Sequence, residues 1–569
     1  MSGVKISYGD IAVGARDSFV PSATKEEYFS KISDISKSNL VYKNFGNPID
    51  LYSVLLDGSA EIMPNRFVNE NIGYWSSVLS GNDGAFEEPI IMTIKAEKQF
   101  TSSGFTLTFD KYFGIYPTRV GIEWYRLGEL ISQGDFYPNS PEYFFSKKVE
   151  NYDEVVFKFY SINMPKNRLK IRGIEYGVGT EFSGSEIMNT SAIFSLNPLS
   201  AEIPINTFDF VLNNRRGVEY SFQEGQTIRT YFDDNLVCTT FMKSAKKKSR
   251  NVWNIKTEDY FGTMDSAPFF GGVYENKSVS DLIFEIFSSA NVPYVVEADI
   301  DGFSVSGYIP YTNCRSALQQ VLFAVGLYSI TYGSEIVKIV KTMDDAVKSV
   351  GLNRIMQGQT VDDEARPSAI SVSYHSYKKS NQELSVEVGE VGENILVVFG
   401  EPLYDLYITN GEIVSSGSNH AIINAEENCI IVGKKYDHSS FKKTKYYSSN
   451  GSVAKENVIS VENATLVTKS NIDNVAEMCY NYFGKARSVS SDIIEGKHVK
   501  YGSFVKYGER LYGSFVYGRS KDEISYDEKT KIGDIIDIET ASYGTIRSQI
   551  TKQSFNLNGG IIVKKTVSR

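Results

Sequence analysis

The sequence predicts a mainly β protein of several domains with one small α/β part. Short runs of β-branched and aromatic residues, separated by turn-forming residues, recur along most of the chain. The chain holds 37 Tyr and 34 Phe but only 15 Pro, a composition that favours pleated sheets with large amphipathic faces. At 569 residues it is too long for one hydrophobic core, and about three to five domains are expected.

The N-terminal residues 1–46 are polar and are predicted to form an arm with a short helix near residues 25–35. Such an arm would order against a neighbouring subunit, and a frayed terminus is an equal alternative. Residues 1–8 have no apolar signal-peptide region, and no apolar run in the chain is long enough to span a bilayer. We therefore expect synthesis in the bacterial cytoplasm and no membrane insertion.

Residues 47–178 are predicted to form a jelly roll, because many short strands with turns between them are typical of sandwiches. The predicted strands are Leu51–Leu56, Ile90–Ala96, Gly104–Phe109, Val120–Tyr125, Val155–Tyr160 and Leu169–Tyr176.

The segment Asn69–Ser77 contains Tyr-Trp-Ser-Ser and resembles the corresponding motif of discoidin-like, carbohydrate-binding jelly rolls. The resemblance implies that Tyr74, Trp75 and Trp124 could contact a surface glycan, since aromatic rings stack on sugar faces. The alternative is that these rings pack in the domain core.

Residues 179–268 are predicted to form a β-rich unit around a hairpin. Its strands Gly225–Phe232 and Leu236–Phe241 flank the turn-forming residues 233–235. Residues 251–257 alternate apolar and polar side chains, which predicts a third strand with one buried face.

Residues 269–357 are predicted to form the α/β part, because the apolar spacing there becomes helical. Ser278 is the expected cap of the first helix, and Gly326 is expected to end the second. The buried faces are predicted to consist of Leu282, Ile283, Ile286 and Phe287, and of Ala317, Leu318, Val321, Leu322 and Val325.

Residues 358–569 begin with a polar linker and return to strands, interrupted by a helix over Ile472–Phe483 that ends at Gly484. The final strands, near residues 534–567, are predicted to complete a second barrel. Tyr501–Gly508 and Tyr512–Gly518 are nearly identical in sequence. This repeat indicates either a contact surface for a partner protein or a tyrosine-lined strand-and-turn element that binds no partner.

Four motifs in this order resemble the tail hub proteins of phages and contractile bacteriocin-like particles: Gly271–Tyr274, Asp281–Ile286, Gly307–Pro310 and Arg315–Gly326. The resemblance implies two tail-tube-like β-barrels per chain, in residues 179–268 and 358–569, joined by the α/β hub segment.

The same resemblance implies a homotrimer, in which two barrels per chain give six similar units that match a six-fold tube. Its expected partners are the tail tube protein, baseplate or wedge proteins, a tip or spike protein and the tape measure protein. The expected place of assembly is the tail or baseplate of a virion or phage-like particle.

The charge distribution argues against a specific nucleic-acid partner, since the formal net charge is -10 and a nucleic-acid surface is basic. The basic run Lys243–Arg250 lies between predicted strands and is typical of a solvated hairpin tip. Its alternative role is docking onto an acidic face of the next tail protein.

No motif predicts an enzyme, a cofactor or a metal site. The four His are dispersed, Gly-x-Ser-x-Gly and phosphate-loop sequences are missing, and Asp299–Gly302 lacks the later ligands of a calcium loop. The four Cys lie far apart and are predicted to be buried hydrophobes. We expect a structural hub, with a tail-tip carbohydrate- or receptor-binding protein and a glycan-cleaving enzyme as alternatives.

Overall fold

The computed structural model describes residues 4–27, 32, 73–111, 113–215, 220–232, 235–341, 348–352, 355–363, 367–447, 457–485, 487–495, 530–556 and 562–568. These residues form several β-sheets and a small number of helices, which confirms the predicted mainly β, multi-domain class.

The elements of the first 195 residues are β1 Val4–Ile11, α1 Ala15–Ser18, β2 Val20–Ala23, β3 Tyr74–Trp75, β4 Ala85–Thr108, β5 Pro117–Arg126, β6 Glu129–Phe136, β7 Glu142–Ile162, β8 Lys170–Ile171, β9 Gly173–Glu175, β10 Gly177–Ser183 and β11 Ile187–Ser195. The elements up to residue 350 are β12 Thr207–Asn213, β13 Thr227–Phe232, β14 Asn235–Lys247, β15 Val252–Glu258, α2 Tyr260–Ser266, β16 Pro268–Phe269, β17 Gly272–Ser278, α3 Val279–Ala290, β18 Tyr294–Val296, β19 Ser304–Ile309, β20 Thr312–Asn313, α4 Cys314–Val325, β21 Leu327–Ile330, β22 Val337–Lys341 and β23 Lys348–Val350.

The remaining elements are β24 Thr360–Asp363, β25 Ala369–Val388, β26 Gly392–Val398, β27 Leu403–Thr409, β28 Glu412–Ser416, β29 His420–Ala425, β30 Cys429–Tyr446, β31 Val458–Val461, α5 Ile472–Phe483, β32 Arg487–Glu495, β33 Ile535–Thr540, β34 Gly544–Asn556 and β35 Ile562–Ser568.

The largest sheet contains 13 of the described strands, in the order β10-β1-β13-β14-β15-β12-β11-β34-β35-β32-β24, with β33 between β34 and β23. It unites strands from the two regions that were predicted to be separate barrels. The union is made by β11 and β34, which pair antiparallel with Ile193 opposite Ser554. No closed barrel is found among the described residues. The two tube-like barrels therefore stay a prediction, and the two regions share one continuous sheet because they pair their edge strands with each other.

The first strand of this sheet comes from the predicted N-terminal arm. Residues 4–11 form β1, which pairs with β10 on one side and with β13 on the other. Ile6 and Tyr8 are fully buried, and Asp10 accepts hydrogen bonds from Gln226 (2.8 Å) and from the backbone N–H of Ser221. The arm prediction is wrong for these residues, because their alternating apolar side chains complete the sheet's core.

Residues 73–176 and the earlier strand β2 form a domain on a six-stranded antiparallel sheet in the order β2-β4-β7-β5-β6. Strand β9 pairs with the end of β4, on the side away from β7. Two predicted strands, Ile90–Ala96 and Gly104–Phe109, are parts of the single 24-residue strand β4, whose register shifts between Lys95 and Gly104. The predicted strand Leu51–Leu56 lies outside the described residues. The jelly-roll assignment stays a prediction.

The α/β segment confirms both predicted helices and their ends. Ser278 caps α3 by accepting the N–H of Asp281, and Gly326 ends α4 in the left-handed conformation with a φ of 72°. The predicted apolar faces lie in one core with the three-stranded sheet β18-β22-β21. The sequence analysis missed the short helix α2, which is capped by Asp259.

Residues 367–447 and 457–485 form an inserted module between β24 and β32 of the large sheet. It contains the four-stranded sheet β27-β30-β25-β31 and the three-stranded sheet β26-β29-β28. Helix α5, with its predicted bounds, packs against β25. The duplicated segments Tyr501–Gly508 and Tyr512–Gly518 lie outside the described residues.

The module closely approaches the α/β segment at Gly307, which has a φ of 134°. A Cβ atom there would lie 2.5 Å from the Thr465 carbonyl oxygen and 3.0 Å from Leu466 Cα. Only a residue without a side chain allows this approach of two backbones.

Gly307→Ala is expected to lower the unfolding free energy by roughly 1–3 kcal/mol more than Gly302→Ala does, because it adds a backbone clash. Gly302 is the matched control, since it also has a positive φ, 78°, but its Cβ would meet no atom within 4 Å. Denaturant unfolding monitored by circular dichroism measures both variants. Equal losses of stability would contradict the close approach.

Candidate assembly surface and its internal joints

The large sheet has one apolar face and one polar face. In β12, Phe208, Phe210 and Leu212 are buried, whereas Thr207 and Asp209 alternate with them on the accessible face. This alternation is typical of a sheet that covers a core on one side only.

The polar face crosses the β11–β34 pairing without a break. Thr207 pairs with Ile193, which pairs in turn with Ser554, and Ser195 pairs with Lys552. Strands from the two halves of the chain therefore share one accessible face, on which Ile193, 43% exposed, is an apolar exception among polar residues.

The sheet branches at β34 and ends in three edge strands among the described residues. β10 pairs only with β1, β24 pairs only with β32, and β23 pairs only with β33. At its first residue, β10 is covered by β4, because the Thr106 hydroxyl donates to the Gly177 carbonyl at 2.7 Å. Edge strands present backbone N–H and C=O groups that can pair with another chain.

A buried polar joint connects the sheet to the α/β segment. Asp259 accepts hydrogen bonds from the Asn206 side-chain amide (2.8 Å) and the Thr331 hydroxyl (2.7 Å). It also accepts the backbone N–H of Phe261 at 3.1 Å, which caps α2. Asn206 in turn accepts the N–H of Ser195 at 2.8 Å. One carboxylate therefore links β11, the residue before β12, α2 and the chain that follows β21.

The pKa of the Asp259 carboxyl group at this joint is raised, mainly because the group is buried. Burial raises the pKa of Asp259 from 3.8 to about 6, against the opposing effect of the hydrogen bonds from Thr331, Asn206 and Phe261. The exposed fraction of the Asp259 side chain is 1%, so water does not replace a lost partner.

A second joint fixes α4 against α2. The Arg315 guanidinium donates to Asp265 at 2.9 Å and to the Ile203 carbonyl at 2.7 Å. The Asn313 amide also donates to Asp265, at 3.0 Å, and its carbonyl oxygen caps α4. Arg315 belongs to the last of the four motifs, and its structural role is to orient this helix.

The three predicted glycan contacts lie inside the protein. Tyr74 and Trp124 are fully buried, and Trp75 is 5% exposed. The Tyr74 hydroxyl donates to the Thr24 carbonyl at 2.8 Å, and Lys170 Nζ lies 4.2 Å from the centroid of the Trp75 ring. These residues are therefore assigned to the core, because a buried ring has no face on which a sugar can stack.

The same domain holds a buried ionic cluster that the sequence analysis missed. Asp110 has no exposed surface and accepts from Lys170 at 3.1 Å and from Arg172 at 2.7 Å. The charges are paired and come from two chain segments, so the cluster ties β8 and the residue after it to the end of β4.

Two predictions about isolated side chains have different outcomes. All four Cys are free and buried, as predicted, and burial raises the pKa of Cys238 and Cys479 to about 12 each. His375 and His438 were treated as dispersed, but strands β25 and β30 bring Nδ1 of His375 to 3.0 Å from Nε2 of His438. Burial, followed by the effect of His438, lowers the pKa of His375.

The basic run Lys243–Arg250 forms the end of β14 and the turn into β15, as predicted. The backbone N–H of Lys248 donates to the Val252 carbonyl at 2.8 Å to close the turn. Lys243 forms ion pairs with Glu224 and Glu258 at 3.1 and 3.6 Å.

Neither a membrane-spanning helix nor a metal-binding group of side chains occurs among the described residues. None of the helices there is long and apolar enough to cross a membrane. No group of three or more His, Cys, Asp or Glu side chains in that part of the chain is placed to hold a metal ion.

Solved structures with a similar arrangement include a tail protein from Neisseria meningitidis MC58, at 10% identity and a TM-score of 0.41, covering 68% of this chain and 92% of that one. A 43 kDa tail protein of prophage MuSo2 from Shewanella oneidensis is 10% identical with a TM-score of 0.40, covering 68% of this chain and 95% of that one. A type VI secretion component of E. coli, described as similar to bacteriophage T4 tail proteins, is 7% identical with a TM-score of 0.31, covering 67% and 73%.

No protein-family model matches the sequence, and no curated protein matches it.

The pKa of Asp259 predicts how stability depends on pH. A carboxyl whose pKa is raised on folding stabilises the fold at low pH, and this contribution is lost as the pH rises through about 4 to about 6. The loss is expected to reach roughly 3 kcal/mol, since one pKa unit corresponds to about 1.4 kcal/mol.

Asp259→Asn is expected to remove that dependence, because the amide cannot ionise. Thermal unfolding midpoints measured between pH 4 and pH 7 test it, with the exposed Asp301→Asn as control. Parallel profiles for the native chain and Asp259→Asn would count against burial of an ionising Asp259.

Proposed function

We propose that this chain is the structural hub of a phage or phage-like tail, where it joins the tail tube to the baseplate or tip. The observation that carries the proposal is the continuous sheet, which both halves of the chain build around the α/β segment. The resemblance of the four motifs to tail hub proteins independently supports the same role.

The sheet suits a homotrimeric ring. Three copies around a common axis could place the β24 edge of each chain beside the β10 edge of the next, so that the sheets close on one another. Contacts between two different surfaces repeat around a ring when the rotation closes. The polar face would then line a channel, while the apolar face stays in the core.

The hub role requires rigidity rather than reaction chemistry. The joints at Asp259 and Arg315 hold the α/β segment against the sheet by directional hydrogen bonds. A mechanical load on the ring would therefore be transmitted to the α/β segment without changing the orientation of that segment relative to the sheet. In this role the protein is not an enzyme and needs no cofactor.

The proposed partners are those of a hub. The tail tube protein stacks on one side of the ring, and baseplate or wedge proteins, the tip or spike protein and the tape measure protein contact the other surfaces. Assembly takes place on the tail after synthesis in the bacterial cytoplasm.

The alternative of a carbohydrate- or receptor-binding tail protein rested on Tyr74, Trp75 and Trp124, which are buried. Their burial argues against that function, because a buried ring has no face on which a sugar can stack.

The purified chain is expected to sediment as a trimer, and proline in β24 is expected to reduce it to a monomer. Successive backbone N–H groups of a strand point to opposite sides, so Val361→Pro and Asp362→Pro affect opposite sides of β24. The variant that loses an outward N–H should keep its fold and lose association, because proline cannot pair with the neighbouring chain.

Sedimentation measures the mass, and circular dichroism identifies the variant that remains folded. A native chain that is monomeric at all concentrations and binds no tail tube protein would overturn the proposal.

A further inference from the structure

An exposed apolar band runs across the inserted module and the α/β segment. On β26 and β29, Leu396 pairs with Ile422, and Val398 pairs with His420. The members of this band are Leu396, Val398, Ile422, His420, Phe270 and Tyr311.

The band is continuous between the two parts of the chain. The His420 ring stacks on Phe270 with centroids 4.0 Å apart, and Phe270 lies 5.8 Å from Tyr311. The exposed fractions of Leu396, Val398, Phe270 and Tyr311 lie between 36% and 43%. Contiguous exposed apolar surface of this kind is typical of interaction sites.

Asn419 holds the band rigid. Its amide donates to the carbonyls of Phe270 (2.7 Å) and Ile309 (2.8 Å), and the residue is 1% exposed. The two parts of the band therefore keep a fixed relative position, and a partner that binds there has little ordering cost to overcome.

One end of the band is strongly acidic. Residues 380–433 contain neither Lys nor Arg. Strand register brings three turns of the module together, since Gly392 pairs with Ala425 and Glu412 pairs with Asn424. The exposed carboxylates near these turns form the glutamate end of the band: Glu387, Glu390, Glu393, Glu412, Glu426 and Glu427.

None of these carboxylates forms an ion pair with another described residue. The two basic residues that follow the stretch, Lys434 and Lys435, pair with Asp405 and Glu401, and Lys379, which precedes it, lies over the Tyr404 ring at 5.2 Å. The glutamate end is therefore an uncompensated negative surface beside an apolar one.

The complementary surface is the turn between β14 and β15, here called the basic hairpin. Lys246, Lys248 and Arg250 are exposed and form no ion pair within the described part of the chain. Lys247 Nζ lies 5.5 Å from the ring centroid of the half-buried Trp253. The basic hairpin thus combines positive charge with an aromatic surface.

We propose that the apolar band and glutamate end of one copy bind the basic hairpin of a second copy. Within one chain the described residues of the two surfaces form no ion pair with each other. Their complementary charges are therefore able to pair with those of another copy. The apolar band would cover the aromatic part of the hairpin, and the carboxylates would pair with its cations. A contact between two different surfaces can repeat around a closed ring.

This inference rests on the proposed trimer but names a contact that the edge strands do not supply. Because exposed charges take part, association through it is weakened by salt, whereas backbone pairing between sheet edges is much less sensitive.

A zero-length carbodiimide cross-linker, applied to an equal mixture of unlabelled and heavy-isotope-labelled chains, tests the contact directly. It joins Lys to Glu only where they touch, and the isotopes separate links between copies from links within one copy. Links between Lys246 or Lys248 and Glu390 or Glu426 that bridge labelled and unlabelled chains are the expected result.

Charge reversal gives the second test. Lys246→Glu/Lys248→Glu and Glu390→Lys/Glu426→Lys should each weaken association by roughly tenfold or more, and a mixture of the two variants should recover it. Lys98→Glu/Lys469→Glu at exposed sites elsewhere is the matched control for the Lys246/Lys248 variant and should have no such effect. Sedimentation measures association, and circular dichroism confirms that each variant is folded.

The outcomes separate this inference from the proposed function. A trimer that gives no bridging link and is unaffected by either reversal overturns the contact and leaves the hub intact. Links confined to one copy, or links from the glutamate end to a different protein of a purified particle with none to the hairpin, also overturn it. A chain that never associates contradicts both the contact and the trimer.

Discussion

The pairing of β11 with β34 is the constraint on which the rest of the structure depends. Each strand would otherwise leave one side of its backbone unpaired, and their hydrogen bonds close the longest loop in the large sheet. The α/β segment and the inserted module lie between these two strands in the sequence, so the chain must leave the sheet to form them and then return to it. The cost of such a long closure is moderate because loop entropy grows only slowly with length.

Buried polar groups decide how the parts are oriented. Asp259 and Asn419 each connect two separate parts of the chain through more than one hydrogen bond, and both are almost fully buried. Apolar packing alone permits small rotations between domains, whereas a buried carboxylate or amide with several fixed partners does not. The same principle applies to Asp110, whose charge is compensated by Lys170 and Arg172. These groups act in positioning, which agrees with a mechanical role for the protein.

The way charge is distributed over the surface says more about association of this chain than its net charge does. The net charge of -10 suggests a uniformly acidic surface, but the chain separates a stretch without basic residues at 380–433 from a basic run at 243–250. The glutamates at the turns of the first stretch and the cations of the second are exposed, and each group lies beside apolar or aromatic surface. A chain with such complementary surfaces is suited to orderly association, since charge selects the partner and apolar burial adds affinity.

The sequence by itself determined the local elements. Helices α3 and α4 could be placed from apolar spacing and from the caps Ser278 and Gly326, because these signals act within a few residues. The hairpin of β13 and β14 was predicted for the same reason. Only the tertiary structure decided that residues 4–11 lie within a sheet, that β11 joins β34, and that Trp124 is buried rather than exposed. Strand partners and burial depend on pairing between segments that are distant in the sequence. Alternation along one strand predicts which side is apolar, but it does not predict which part of the chain will cover that side.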